Sequence, residues 1–206
     1  MRWLAVLAAL VPAACGDASS DTSASSSKPS ASTAAVVAGS VTAAATTGGS
    51  TASPFASGVY RYALAVPAGW QAVAARRAWD GSGAAPTHED PDADEWSRPD
   101  GASVFAFAAP TRHHLTGYAR EWIARTAAEH GDTCPNPPAA REPVTIGGDS
   151  GVLLAWDCGI LIDIAVAVHD GAGYAFVFRD PNVHAATDPA DHETFVRLLR
   201  SVKFGR

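Results

Sequence analysis

The sequence predicts an α+β domain: a mainly antiparallel β-sheet sandwiched by helices. Three observations lead there. β-rich runs follow one another across glycine-containing turns, as in "GVLLAWDC", "ILIDIAVAVHD" and "GYAFVFRD". Only two stretches, one from Leu115 and one from Asp188, change to helical spacing. The predicted order β-β-β-α-β-β-β-β-α therefore builds the sheet from hairpins rather than from parallel crossovers.

Each element has its own signal. "VYRYALAVPAGW" alternates and stops at Pro67-Ala68-Gly69, a strand running into a turn. "WQAVAARRAW" (Trp70 to Trp79) reads as its hairpin partner, with Arg76 and Arg77 on opposite faces, one exposed and the other paired with a carboxylate. Asp80 to Gly101 is polar and reads as a loop, and "ASVFAFAAP" is a third strand. Leu115, Tyr118, Ala119, Trp122, Ile123 and Thr126 recur at helical spacing up to His130, with a stop at Gly131.

Four strands follow, beginning with "EPVTI", and Asp170-Gly171 marks a tight hairpin turn. Ile160, Ile162, Ile164, Val166 and Val168 are expected to form one face, matched on the next strand by Tyr174, Phe176 and Phe178. The last helix opens with Asp188 as N-cap and Pro189 at the first helical position. Phe195, Leu198, Leu199 and Val202 make its buried stripe.

The 206 residues suffice for one domain with chain to spare, and a net charge of −6 offers no basic face for nucleic acid. The spare chain is at the start. Residues 1–14 read as a signal peptide: Arg2 is positive, and Trp3 to Val11 is an apolar run too short to span a bilayer. "VPAAC" followed by Gly16-Asp17 resembles a lipobox, whose cysteine, here Cys15, receives a diacylglyceryl group. It departs from the pattern at Pro12, where an aliphatic residue is usual, and ordinary cleavage after Ala14 is the alternative. Residues 15–57 are Ser, Thr, Ala and Gly with few large apolar groups, the composition of a flexible tether spanning on the order of 35–40 Å. The folded domain is expected over 58–206.

"YALAVPAGW", a long polar loop, a Tyr/Trp-bearing helix, strands ending "GYAFVFRD" and a closing "FVRLLRSVKF" helix resemble the PsbP-like superfamily. That fold is shared by an extrinsic photosystem subunit, a nuclear-transport accessory factor and many small bacterial lipoproteins. The resemblance covers Gly58 to Arg206 and lies nearest the lipoprotein branch of actinobacterial type. It implies a non-enzymatic accessory role.

"GGDSGV" (Gly147 to Val152) contains the tetrapeptide that surrounds the nucleophile of trypsin-like proteases. No histidine segment of the expected kind precedes it, and Gly148 and Val152 flank Ser150 where a nucleophile elbow needs two glycines. Gly147 to Gly151 is expected instead to close a hairpin. With Cys15 assigned to lipid, Cys134 and Cys158 form an even pair in an exported domain, and a disulfide is expected. "HEDPDADE" gathers carboxylates but lacks the glycine and the closing glutamate of a calcium loop, so it reads as a solvated acidic loop. His113 and His114 are adjacent and point apart on a helix; His130, His169, His184 and His192 form no ligand pattern. No metal and no cofactor is expected.

Three function classes compete. The leading one is a lipid-anchored accessory or binding domain on the outer face of the cytoplasmic membrane, contacting another envelope protein or a small ligand. The second is a serine or metal-dependent hydrolase, and the third a structural lipoprotein without a specific partner.

Overall fold

The computed structural model describes residues 52–182 and 188–205, all within the compact unit Thr47–Arg206. Cys15, the signal peptide and all but the end of the expected tether lie outside the described residues. That end is not tether: β1 (Ser53–Ala56) pairs antiparallel with β2 (Tyr62–Val66), so ordered chain begins upstream of Gly58. Phe55 gives the segment its reason to fold, since it packs edge-on against the buried Trp96 with ring centroids 5.1 Å apart.

The described strands form two sheets. A small one has the order β1-β2-β10, with β10 at Lys203–Phe204. The large one has the order β3-β4-β5-β9-β8-β7-β6, and every pairing in it is antiparallel. Its strands are β3 (Gln71–Val73), β4 (Asp94–Ser97), β5 (Ser103–Pro110), β6 (Ala140–Ile146), β7 (Asp149–Asp157), β8 (Leu161–His169) and β9 (Ala172–Asp180).

The expected hairpin between β2 and the "WQAVAARRAW" segment does not form. The Pro67–Gly69 turn carries the chain from the small sheet to the edge of the large one, where β3 pairs with β4. Arg76 and Arg77 lie beyond β3 and both are exposed, with Arg77 paired to Asp92. β4 is itself a correction, because it falls inside the stretch read as a solvated loop. Asp94 and Glu95 are buried there: Asp94 accepts hydrogen bonds from Tyr62 Oη (2.7 Å) and the Ala75 amide (2.8 Å). Burying a carboxylate is tolerated when its oxygens are held in this way.

Helix α1 (Leu115–His130) has the expected bounds and buries Tyr118, Ala119, Trp122 and Thr126. It covers one face of the large sheet, where the Tyr118 ring lies against Gly173 so closely that a Cβ at 173 would sit inside the ring's van der Waals surface. Helix α2 (Pro189–Ser201) begins as expected, with the Asp188 carboxylate accepting from the Ala190 amide at 2.8 Å. It stops short of the expected "VKF" end, because Lys203–Phe204 pairs with β2 as β10. Its Phe195, Leu198 and Leu199 are buried, as is Val202 just beyond its end. Together with the small sheet it covers the opposite face, where Phe178 meets Phe195 (5.7 Å) and Tyr62 meets Phe176 (5.6 Å).

Register decides which apolar residues face which layer. Ile162, Ile164 and Val166 stand opposite Arg179, Val177 and Ala175, whereas Tyr174, Phe176 and Phe178 stand opposite Ala167, Ala165 and Asp163. Directly opposed residues share a face. The isoleucines of β8 and the aromatics of β9 therefore look to opposite sides, against the expectation of one matched face. Both sides are buried because both carry a covering layer.

Candidate functional site: a cavity beneath helix α1

Among the described residues the sequence-predicted candidates separate. Ser150 is exposed in β7, opposite Thr145. The turn before it is only Gly147-Gly148, at φ 61° and 94°, the positive values that a two-residue hairpin turn needs. Gly151 lies in the strand at negative φ, and its lack of a side chain serves close packing: a Cβ would meet the Val166 carbonyl oxygen and Ile146 Cδ1, each at 2.9 Å. Next to Ser150, Asp149 Oδ2 is 2.6 Å from His169 Nδ1, and His169 stacks on Phe204 at 4.5 Å. Asp149 and His169 lie on the face that meets the small sheet, and Ser150, one residue on, projects from the other. The two cannot work as one catalytic unit.

Cys134 and Cys158 are disulfide-bonded. Cys134 follows α1 after the single 3-10 turn Gly131–Thr133, and Cys158 ends the β7 run. The bond thereby ties the C-terminal end of α1 to the β7–β8 turn. Among the described residues no cluster of three His, Cys, Asp or Glu side chains could hold a metal ion. His113 stands 3.7 Å from Glu121, His192 is on α2, and His184 lies outside the described residues.

What the fold does assemble is a cavity of about 280 Å³ between α1 and the sheet. Its floor is Phe105 and Phe107 of β5, Ile162 and Ile164 of β8, and Val177 of β9. Trp122, Thr126, Glu129 and His130 of α1 form one wall, and Ala85 to His88 form a roof. The roof segment has no regular structure, so its position depends on specific bonds. The Ala85 amide donates to Glu129 Oε1 at 3.0 Å, and Arg125 donates to the carbonyls of Gly83 (2.6 Å) and Gly81 (3.3 Å). The Arg125 guanidinium also lies over the rings of Trp79 (5.0 Å) and Trp122 (5.6 Å). His88 Nδ1 reaches Glu95 Oε1 at 2.6 Å. The disulfide braces the remaining side, since Ile160 at the rim is two residues from Cys158 and His130 four from Cys134.

Arg179 completes the lining. Its Nε is buried and without a hydrogen-bond partner among the described residues. Sequence reasoning missed it. The one signal is parity: Arg179 shares its side of β9 with Val177 and Ala175. A larger recess of about 450 Å³ opens on the opposite face, lined by Leu153, Ala155, Asp163 and His192 among others. Its rim at Pro189 adjoins residues 183–187, which lie outside the described chain.

A large antiparallel sheet with α1 on one face and α2 plus a small sheet on the other is an α+β sandwich. Within that class the chain has a PsbP-like fold. It aligns with the solution structure of cyanobacterial PsbP (CyanoP) from Synechocystis sp. PCC 6803 at 13% identity and TM-score 0.51, covering 77% of this chain and 95% of that one. A crystal structure of a protein from Bacteroides thetaiotaomicron VPI-5482 aligns at 12% identity and TM-score 0.42, covering 76% of this chain and 49% of that one. No family model matches the sequence, and no curated protein matches it. At these identities the likeness concerns the fold.

Proposed function

We propose that the chain is an exported domain, held at the outer face of the cytoplasmic membrane by an acyl group on Cys15, that acts by binding rather than by chemistry of its own. The observation that carries this reading is the cavity beneath α1: an apolar floor, a ligand-scale volume and a few polar groups at the edge are the features of a small-molecule site. The Cys134–Cys158 bond supports export, since disulfides persist in oxidising compartments. The PsbP-like fold supports an accessory role. The projection of Ser150 away from the Asp149–His169 pair weighs against a serine hydrolase.

The test of binding uses 1-octanol, a neutral apolar probe small enough for the cavity, titrated into the full chain. Saturable binding is expected, and Ile164→Trp, which fills the floor, abolishes it. Covalent labelling by a fluorophosphonate that disappears in Ser150→Ala would overturn the reading in favour of a hydrolase. For the anchor, Cys15→Ala is expected to abolish palmitate incorporation and release the protein from the membrane fraction. Palmitate labelling that survives the substitution removes Cys15 as the lipid site.

A further inference from the structure

We infer that the cavity beneath α1 takes a small amphipathic monoanion, an apolar body bearing one carboxylate, and that Arg179 is the residue that holds its charge. The inference rests on reading the cavity as a ligand site and adds the chemical class of the ligand.

Charge bookkeeping at the cavity points one way. Glu129 accepts from the Ala85 amide and stands 3.8 Å from Arg125. Glu95, behind His88, accepts from the Glu89 amide at 2.9 Å and is paired with His88 at 2.6 Å. Each carboxylate is already answered. Arg179 is not: its Nε is sealed from solvent, and among the described residues its guanidinium makes no ion pair or hydrogen bond. A guanidinium cannot relieve that situation by losing its proton. Arg179 is half-buried, but a donor shut off from water with no acceptor is costly, and an anion seated at the guanidinium from the cavity removes the cost. A carboxylate suits it best, because two oxygens match the planar fork of guanidinium donors.

The shape of the site sets the rest of the ligand. Arg179 stands opposite Ile162 and Ser103, whereas Phe107 stands opposite Ala175, four residues back along β9. At roughly 3.3 Å per residue the two ends of the floor are about 13 Å apart. Between them the lining is Phe105, Val177 and Ile164, with Trp122 above. An extended chain lying on these residues with its head at Arg179 fits the volume of about 280 Å³. One guanidinium calls for one negative charge.

The experiment compares four probes by calorimetry on the full chain at neutral pH: octanoate, 1-octanol, octylammonium and acetate. Octanoate is expected to bind at least tenfold more tightly than 1-octanol, octylammonium more weakly than 1-octanol, and acetate not measurably. Arg179→Gln brings octanoate down to the level of 1-octanol, and Arg179→Lys recovers part of the preference. Equal affinity for octanoate and 1-octanol, or a preference for octanoate that survives Arg179→Gln, overturns the anion inference while leaving the cavity a ligand site. A preference for octylammonium overturns it by reversing the sign. Binding of none of the probes overturns both readings together. Should Arg179→Gln not fold, the ratio of octanoate to 1-octanol in the unaltered chain decides.

Discussion

Tyr62 Oη donates a 2.7 Å hydrogen bond to Asp94 Oδ2, and both residues are buried, so the small sheet and the large one are joined by a polar bond sealed from water. The second carboxylate oxygen is taken by the Ala75 amide. Tyr62→Phe keeps the ring that packs on Phe176 and removes only the donor. Hydrogen bonds to carboxylates contribute about 1.5–3 kcal/mol, and chemical unfolding of Tyr62→Phe is expected to show a loss in that range. A loss under about 0.5 kcal/mol would mean that the bond adds nothing net.

The tyrosines as a group make the domain sensitive to alkali. All four have raised phenolic pKa values. Burial pushes Tyr60 up to about 12 and lifts Tyr118 and Tyr174 above the ordinary value of 10.0. Burial also raises Tyr62 well above that value, with the Asp94 carboxylate adding to it. The folded protein then holds these protons more tightly than the unfolded chain does. Their contribution is complete below pH 10 and is lost as pH rises from 10 through about 12. Unfolding free energies from urea titrations measured upward from pH 10 should fall, by up to about 1.4 kcal/mol per pH unit for each tyrosine. Tyrosinate absorbance should appear together with unfolding. Absorbance rising near pH 10 in the folded protein contradicts this.

Ser150 and Gly151 should respond in opposite ways to substitution. Ser150 is exposed, and Ser150→Ala is expected to change stability by less than about 0.5 kcal/mol. Gly151→Val drives a branched side chain into the Val166 carbonyl and the Ile146 side chain, and a loss of about 1–3 kcal/mol is expected. Thermal unfolding of the pair gives the comparison; a larger loss in Ser150→Ala would contradict the packing.

Removing the disulfide tests the brace on the cavity. The bond closes a loop with a sequence separation of 24 residues, for which chain entropy gives about 3–4 kcal/mol. Cys134→Ser with Cys158→Ser should lose an amount of that order by chemical unfolding. It should also weaken octanoate binding, because the end of α1 and the β7–β8 turn are then no longer tied. Unchanged affinity would show that packing alone holds the rim.

Signals confined to neighbouring residues were legible at the level of sequence. Helix α1 runs from Leu115 to His130 because Tyr118, Trp122 and Thr126 recur on one stripe and Gly131 takes a positive φ. Helix α2 begins where Asp188 and Pro189 place it. The Asp170-Gly171 turn has both residues at positive φ. Each depends on interactions within about one turn of chain, which composition and spacing report directly.

Pairing was not legible. That β2 leaves its neighbour for a separate sheet, and that β4 emerges from a polar loop, follows from partners distant in sequence. Asp94 is bonded to Tyr62 across 32 positions, and Phe55 fits against Trp96. No local window contains both halves of such contacts. A strand's period of two states which residues share a side but not which side meets which layer. For that reason the expected match of Tyr174, Phe176 and Phe178 with the isoleucine face of β8 does not hold.

The sequence by itself determined the α+β class, helix α1 with both ends, the start of α2, the run of four strands from β6 to β9 and the pairing of Cys134 with Cys158. The tertiary structure alone decided the division into two sheets, the register that turns Arg179 inward, and the cavity beneath α1. The physical reason is range. Helix caps, tight turns and apolar periodicity are settled among near neighbours, whereas a cavity is the space left where α1, the sheet and the Ala85–His88 segment meet, and it exists only once all three are packed.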